Sequence, residues 1–357
     1  MKNNYCIIMA GGVGSRFWPF STNEKPKQFL DFFGTGRSLL RMTYERLDGI
    51  VPASNVFIVT NKIYKDTILE QLPELAENQV LLEPMRRNTA PCIAYAVYRI
   101  QKQNPKANIV VLPSDHLITN EKEFQRVITE GLRFVANNDA LLTLGMKPTR
   151  PETGYGYIQF GNGGDELRKV KTFTEKPNLE MAKVFLSSGE FAWNSGMFLW
   201  RADVIINQFN QHLPEVADKF EQGIDAYATD NEQTFINRIY PECPNISIDY
   251  GIMEKAENVY VMLADFGWSD LGTWGSLHEI TSKDSDNNAV AKCQTMFYNA
   301  QNNMVALPEG ELVVIDGLDG YLVARDNGVL LICPKDQESK IRQYVKDAEE
   351  KFGNKYI

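Results

Sequence analysis

Residues 5–16 read Tyr-Cys-Ile-Ile-Met-Ala-Gly-Gly-Val-Gly-Ser-Arg, an apolar run that passes directly into a glycine cluster. A short apolar run of this kind predicts a buried strand, Tyr5–Met9, and the glycines allow the following backbone to approach a ligand closely. Backbone N–H groups in such a loop can bind phosphate. The segment therefore predicts a nucleotide site at the end of the first strand of an α/β sheet.

The two common phosphate-binding loops do not fit this segment. A Walker A loop ends in Gly-Lys-Ser/Thr, whereas Gly14 is followed by Ser15 and Arg16. A dinucleotide fingerprint has a third glycine where this chain has Phe17. Arg16 and Lys27 instead flank a proline-containing stretch, and two such cations can hold a triphosphate. A tight turn with solvated basic residues is the structural alternative.

Further apolar runs alternate with helical patterns along the first part of the chain. The predicted strands there are Val56–Val59, Val80–Leu82, Ile109–Leu112 and Leu141–Leu144, and helices are expected after Asn88 and from Glu121 to Val135. Strands of mixed type follow at Tyr157–Phe160, Val170–Phe173 and Met197–Trp200. The alternation predicts an α/β fold with a mostly parallel sheet and helices on both faces.

A polar stretch, Lys283–Asn288, predicts a linker between a domain of residues 1–284 and a smaller domain of residues 285–357. Short apolar segments at near-regular intervals beyond it predict a small β unit, for which a short left-handed β-helix is one arrangement. A charged terminal helix is expected from Asp336 to Phe352. Apolar edges of such a unit need covering, which is consistent with a homodimer.

Composition argues against several classes of partner. The chain has 46 acidic and 37 basic residues and a net charge of −9, so neither nucleic acid nor an anionic membrane is expected to bind it. No apolar run approaches the length of a membrane helix. The five cysteines are widely spaced and contain no CxxC pair, so no disulfide framework or zinc site is expected. A reducing, cytoplasmic location fits this cysteine usage.

Two aspartates are candidate metal ligands. Asp115 follows the apolar run Ile109–Leu112, which predicts a position at the carboxyl end of a parallel strand, where open α/β sheets bind ligands. Asp270 follows the strand-like run Val259–Leu263. Carboxylates suit Mg²⁺, which takes oxygen ligands and completes its shell with phosphates and water. A single aspartate of this kind is as often a turn or cap residue.

Several motifs, taken together and in this order, resemble one known family. They are GGVGSRFWPFS (11–21), KPKQF (25–29), EP (83–84), RNTAP (87–91), PSDH (113–116), ETGYGYI (152–158), FTEKP (173–177), NSGMF (194–198) and WSDLGTW (268–274). The family is that of the sugar-nucleotide pyrophosphorylases, and the motifs are most similar to those of mannose-1-phosphate guanylyltransferases. The resemblance spans residues 5 to about 280.

The resemblance implies a Rossmann-like nucleotidyltransferase sheet and a defined reaction. GTP and mannose 1-phosphate would give GDP-mannose and pyrophosphate by Mg²⁺-assisted in-line attack on the α-phosphorus. The implied residues are Arg16 and Lys27 for catalysis; Ala10, Gly11, Gly12, Gly14, Ser15, Glu83, Pro84, Asn88, Thr89 and Asp115 for the nucleotide; Gly154, Glu175, Lys176 and Asn194 for the sugar phosphate; and Asp115 and Asp270 for the metal.

Other functions are left open by the residues themselves. The same chemistry could serve a different nucleoside triphosphate or sugar 1-phosphate, because residue types alone do not dictate guanine. A non-catalytic regulatory subunit that senses a sugar nucleotide could dispense with Lys27 or a metal aspartate. A plain nucleotide-binding module does not explain Glu175-Lys176 and Asn194, although an exposed ion pair is the simple alternative for the first two. The length leaves no room for the isomerase domain of some related chains, so one activity is expected.

Overall fold

A computed structural model describes residues 2–161 and 166–357. The described residues fall into two compact units. The first draws on residues 2–11, 44–114, 118–161 and 166–268, and the second on residues 12–43, 115–117 and 269–357. The predicted domain boundary between residues 284 and 285 stays a prediction.

The described residues form seventeen strands and ten helices. The strands are β1 (Asn4–Met9), β2 (Val56–Asn61), β3 (Val80–Glu83), β4 (Asn108–Pro113), β5 (Leu117–Ile118), β6 (Leu141–Met146), β7 (Gly156–Phe160), β8 (Leu167–Glu175), β9 (Phe191–Arg201), β10 (Val259–Ala264), β11 (Trp268–Ser269), β12 (Ala289–Ala291), β13 (Gln294–Tyr298), β14 (Met304–Ala306), β15 (Leu312–Asp316), β16 (Tyr321–Asp326) and β17 (Val329–Pro334). The helices are α1 (Leu39–Glu45), α2 (Lys65–Gln71), α3 (Thr89–Gln103), α4 (Glu121–Asn137), α5 (Leu179–Ser188), α6 (Ala202–His212), α7 (Pro214–Glu221), α8 (Glu232–Ile239), α9 (Trp274–Ile280) and α10 (Ile341–Phe352).

The first unit contains a sheet that, within the described residues, has nine strands in the order β3-β2-β1-β4-β9-β6-β10-β8-β7. β1 pairs in parallel with β2 and β4, and β6 pairs in parallel with β10. β9 runs antiparallel to both β4 and β6, and β8 runs antiparallel to β10. All strands of this sheet except β8 and β9 therefore run in one direction. The predicted α/β class with a mostly parallel sheet is confirmed.

Helices cover both faces of this sheet. Ile7, Val59 and Val111 belong to one apolar core, to which α3 and α6 also contribute. Cys6 and Ile8 point to the opposite face, since side chains alternate along a strand, and they are equally buried. Helix α4 packs there, because a Cβ at its Gly131 would lie 3.1 Å from Leu142 Cδ2. Burial on both faces explains why the central strands are continuous apolar runs in the sequence.

The C-terminal part of the second unit is a set of stacked, mainly parallel strands. Ala289 of β12 pairs with Met304 of β14, and Met304 pairs with Leu322 of β16, while β13 and β15 form a separate parallel pair. Asn303 donates to Asn288 Oδ1 inside the stack. This arrangement confirms the predicted small β unit, and the handedness of its winding stays a prediction.

Two boundaries differ from the sequence interpretation. Residues 283–288, predicted as a linker, form a hydrogen-bonded turn in which Asp284 Oδ1 accepts from the backbone N–H groups of Asp286 and Asn288. The terminal helix begins at Ile341, after a 3₁₀ segment from Lys335 to Lys340.

No helix of residues 2–161 and 166–357 is both long enough and apolar enough to cross a lipid bilayer.

Candidate active site

The glycine-rich segment of the second unit has one position, Gly14, at which both the backbone conformation and the available space favour glycine. Gly14 has a φ of 68°, and a Cβ there would lie 2.4 Å from Lys27 Cβ. In residues 2–161 and 166–357, the backbone N–H groups of Gly12, Val13 and Gly14 have no protein acceptor. Ser15 begins the 3₁₀ turn that follows. These N–H groups are therefore available to an anionic ligand.

Lys27 is the central cation of this unit. Its side chain is buried, and its ammonium nitrogen lies 2.9 Å from Asp115 Oδ2 and 2.6 Å from the backbone oxygen of Asp270. The backbone N–H of Lys27 donates to Val13 O at 3.2 Å, which fixes it beside the glycine segment. The structure thus brings together Lys27, Asp115 and Asp270, three residues from distant parts of the chain that the sequence assigned to one site.

The environment of Asp115 favours its charged form. Burial alone would raise the pKa of the Asp115 carboxyl, but the Lys27 ammonium and the adjacent His116 offset this and hold the pKa below its usual value. His116 Nε2 lies 3.8 Å from Asp115 Oδ1. About a third of the Asp115 side chain, 33%, remains exposed. An ionised and reachable carboxylate of this kind can bind a cation.

Arg16 is the second predicted catalytic cation, and it lies in the 3₁₀ turn Ser15–Phe17. Its side chain is partly exposed, and within the described part of the chain its guanidinium forms no ion pair. The neighbouring Phe17 is fully buried against Phe32 and Trp274. The turn is thus anchored in the core of the second unit, while its cation is available to a ligand.

Asp115 and Asp270 are the residues of this unit that could hold a metal ion through their carboxylates. The Lys27 ammonium contacts the carboxylate of Asp115 and the backbone oxygen of Asp270, so a positive charge is accommodated beside Asp115. Asp270 Oδ1 accepts from Gly272 N at 2.9 Å, which orients its carboxylate. No group of three or more His, Cys, Asp or Glu side chains among the described residues is arranged to hold a metal ion. The remaining ligands would therefore come from substrate phosphates and water, as is usual for Mg²⁺.

In the first unit, Glu83 is the buried acid among the residues predicted to bind the nucleotide. A Cβ at Gly11 would lie 3.1 Å from Glu83 Oε2, so Gly11 allows this close approach. Ala10 is bound to β2 through its own N–H, which donates to Val59 O at 2.8 Å. Burial raises the pKa of Glu83 to about 7, despite hydrogen bonds from Tyr240 and Cys92 and the positive charge of Arg86. Such a group exchanges protons near neutral pH.

The segment after Glu83 leads into helix α3. Pro84 is half-buried, and Asn88 has a φ of 65° with its side chain accepting from Thr89 N at 2.9 Å. Thr89 Oγ1 accepts from the backbone N–H of Ile248 at 2.8 Å. Thr89 thus connects the start of α3 to the segment around residue 248.

The predicted sugar-phosphate residues form a second group in the first unit. Lys176 follows β8 with a φ of 47°, and its ammonium forms an ion pair with Glu175. A Cβ at Gly156 would lie 2.5 Å from Glu175 Oε2 and 3.4 Å from Asn194 Cβ. The absence of a side chain at Gly156 therefore leaves the space that these two side chains need. The N–H of Gly154 donates to Glu152 Oε1 at 2.8 Å. A ligand that uses this amide would have to replace the Glu152 carboxylate.

Sequence reasoning missed two residues in these groups. The hydroxyl of Tyr240 donates to Glu83, and Asp249 Oδ1 accepts from Asn194 Nδ2 at 2.7 Å. Both residues are far from their partners in the chain and lie in segments with no strong periodicity. The short Ile248-Asp249-Tyr250 run offered no more signal than a lone acid beside two apolar residues.

Comparisons with known proteins agree with this arrangement. The model of a family described as nucleotidyl transferase matches residues 5–287. The mannose-1-phosphate guanylyltransferase of Salmonella montevideo is 39% identical over 90% of this chain and 71% of its own length. The protein of the same name from Escherichia coli strain K12 is 35% identical over 96% of this chain and 72% of its own length. A crystal structure of a protein from Thermus thermophilus, described as a mannose-1-phosphate geranyltransferase, has a TM-score of 0.88 and 31% identity over 97% of this chain and 99% of its own. The chain belongs to the nucleotidyl transferase family.

Proposed function

We propose that the protein transfers a guanylyl group from GTP to mannose 1-phosphate, giving GDP-mannose and pyrophosphate. The observation that carries the proposal is the position of the Lys27 ammonium between Asp115 Oδ2 and the Asp270 backbone oxygen, beside a glycine segment with available N–H groups. The names of the two guanylyltransferase relatives support the choice of substrates.

The proposed reaction needs electrostatic stabilisation more than acid–base catalysis. A sugar 1-phosphate is largely dianionic at neutral pH, because its second pKa is about 6, so its oxygen can attack without a protein base. The protein must orient two anions and stabilise charge on the departing pyrophosphate. Lys27 and Arg16 are suited to the pyrophosphate, and Lys176 is suited to the phosphate of the sugar. Glu175 and Asn194 would bind sugar hydroxyls.

Asp115 and Asp270 would hold Mg²⁺, which when bound neutralises phosphate charge and orients the triphosphate. Asp115 is suited to this role because its pKa is held low and its side chain is partly exposed. With a metal ion held by Asp115, the Lys27 ammonium would form its ion pair with the substrate phosphates in place of the Asp115 carboxylate.

Glu83 is a candidate for recognising guanine. An ionised carboxylate only accepts hydrogen bonds, and the Watson–Crick edge of guanine presents two adjacent donors, N1–H and the N2 amino group. Adenine, uracil and cytosine do not offer this pair. Inosine triphosphate lacks the amino group, so GTP and ITP distinguish this contact from backbone recognition alone.

We also propose that the reaction takes place in the cytoplasm, because all five cysteines are free thiols, as expected in a reducing compartment. Self-association as a homodimer is a further proposal. The exposed apolar side chains of β13 and β15, Met296, Leu312 and Val314, support it.

One assay tests the function directly. Purified protein with Mg²⁺ is incubated with each of the four nucleoside triphosphates and with mannose, glucose or galactose 1-phosphate, and pyrophosphate release is measured. We expect the highest kcat/KM for GTP with mannose 1-phosphate. A higher value for another pair would assign the same chemistry to that pair, and no release from any pair would favour a regulatory subunit.

A further inference from the structure

The Asn194 side chain is held in one orientation. Its Oδ1 accepts from the backbone N–H of Gly196 at 3.1 Å and from Thr143 Oγ1 at 3.3 Å. The backbone N–H can only donate, so the oxygen must face Gly196. The amide nitrogen consequently faces Asp249, and it donates to Asp249 Oδ1 at 2.7 Å. One N–H of Asn194 is therefore used by Asp249, and since no acceptor among residues 2–161 and 166–357 takes the other, it remains for a ligand.

Asp249 is itself fixed by the surrounding chain. It opens a π-helical turn, Asp249–Met253, an element that is rare and often found at functional sites. The residue before it, Ile248, is buried, and its N–H donates to Thr89 Oγ1. A Cβ at Gly251 in the turn would lie 2.6 Å from Leu213 Cδ1. The turn is therefore closely packed on both sides of the carboxylate.

The charges around Asp249 do not explain why an acid is present there. Burial raises the pKa of Asp249 to about 6, and the negative Glu175 adds to this, while the hydrogen bond from Asn194 and the charge of Lys176 partly offset it. Tyr250 in the turn and Glu254 directly after it also interact electrostatically with Glu175 and Asp249. Lys176 is already paired with Glu175. A carboxylate in such surroundings is costly for the folded state, which points to a use in ligand binding.

The surface of Asp249 is still reachable. The residue is only partly buried, and Gly156 and Glu175 lie next to its partner Asn194. A carboxylate beside an amide N–H offers an acceptor and a donor side by side, which matches two neighbouring hydroxyl groups of a hexose. Asp249 is not part of the motifs that resemble the family, and none of the roles assigned so far in nucleotide, sugar or metal binding involves it.

We propose that Asp249 is a specificity-determining residue for the sugar: its Oδ1 holds the Asn194 amide in place, and its Oδ2 accepts a hydrogen bond from a hydroxyl of the hexose 1-phosphate. The inference rests on the proposed function, since it assigns a role within the sugar site of that reaction. It identifies Asp249, Asn194 and Glu175 as the group that reads hydroxyls, and it leaves the phosphate to Lys176.

The test uses the full chain with three substitutions. Asp249→Ala removes both acceptors, Asp249→Asn keeps one acceptor of the same shape, and Glu254→Gln removes a neighbouring charge that does not contact Asn194. For Asp249→Ala we expect KM for mannose 1-phosphate to rise about 10- to 100-fold, as for loss of hydrogen bonds to a charged group. We expect kcat and KM for GTP to stay within about threefold, because the lost interaction is in ground-state sugar binding. Asp249→Asn should fall between wild type and Asp249→Ala, and Glu254→Gln should match wild type.

Mono-deoxy analogues of mannose 1-phosphate separate direct contact from a structural effect. If Oδ2 binds a hydroxyl, one of the 2-, 3-, 4- and 6-deoxy compounds should lose affinity with wild type but lose little more with Asp249→Ala. Equal losses for every analogue in both proteins would overturn the inference, as would an unchanged KM in Asp249→Ala. Thermal unfolding of each variant shows that it is folded. If the wild type turns over mannose 1-phosphate and the Asp249 variants have the same KM as the wild type, this inference alone is refuted. If the wild type is inactive, the proposed function is refuted and this inference with it.

Discussion

Replacing Gly14 with alanine tests whether the glycine segment positions Lys27. Gly14 has a φ of 68°, and an added Cβ would lie 2.4 Å from Lys27 Cβ. Gly36 provides a matched control in the same unit, because it has a φ of 75° but no heavy atom within 4 Å of its Cβ position. Gly14→Ala and Gly36→Ala therefore share the backbone strain, and only the first disturbs Lys27.

The size of the effect follows from these distances. An ordinary contact begins at 3.4 Å, so the side chain of Lys27 must move by about 1 Å to accept the new methyl group. The left-handed backbone adds about 1 kcal/mol of destabilisation in both variants. A displacement of about 1 Å in a catalytic group commonly costs about a hundredfold in rate, or about 2.7 kcal/mol of barrier. We therefore expect kcat of Gly14→Ala to fall about a hundredfold and that of Gly36→Ala to change less than about threefold.

Steady-state pyrophosphate release measures the rates, and urea unfolding measures the stability of both variants. The stability change should be larger for Gly14→Ala, because Lys27 is buried and its contacts must adjust. Equal kcat values for the two variants would show that the Lys27 side chain can move without loss of activity. The assignment of Lys27 to the reacting phosphates would then be wrong.

Four further substitutions test three separate parts of the site. Lys27→Met and Arg16→Ala should each lower kcat about a hundredfold with the circular dichroism spectrum unchanged, and full activity in both would contradict their assignment to the leaving pyrophosphate. Asp270→Asn should raise the Mg²⁺ concentration needed for half-maximal activity, and an unchanged Mg²⁺ titration would remove Asp270 from the metal site. Because the pKa of Glu83 is raised from 4.5 to about 7 in the fold, the folded protein keeps a proton that the unfolded chain has lost, and the free energy of unfolding falls as pH rises through this range. Glu83→Gln should therefore gain up to about 3 kcal/mol relative to wild type at pH 8 but not at pH 5, as measured by urea unfolding; a constant difference would contradict the raised pKa.

The central strands could be predicted because both their faces are buried. The run Ile109–Leu112 became β4, Asn108–Pro113, with one further residue at each end. Strand β9 was harder to predict. It extends over eleven residues, Phe191–Arg201, but the sequence indicated only Met197–Trp200. Asn194 and Gly196 interrupt its apolar pattern, and the direction of a strand is set by pairing with strands elsewhere in the chain, which a local pattern does not contain.

The residues of the candidate site also divide into those with a local sequence signal and those without one. The glycine segment carried a local signal because positive φ and close approach select glycine, as at Gly14. Lys27 and Asp270 are 243 residues apart, and only the family resemblance linked them before the structure was known. Asp249 had neither a local pattern nor a matching motif. Its significance comes from a single hydrogen bond to Asn194 and from the burial that raises its pKa.

Each unit offers its own set of hydrogen-bonding groups, and each set selects its own kind of ligand. In the second unit the groups assigned to the phosphates are donors and cations: the N–H groups near Gly14, Arg16 and Lys27. Such groups suit the charged oxygens of phosphates. In the first unit the sugar candidates combine the acceptors Glu175 and Asp249 with the Lys176 ammonium and the Asn194 amide, a mixture that suits the hydroxyls and the phosphate of a hexose phosphate. A chain with a net charge of −9 has no general attraction for either kind of ligand, so binding must come from these local groups. The groups of the second unit therefore suit a nucleoside triphosphate, and those of the first unit suit a phosphorylated hexose.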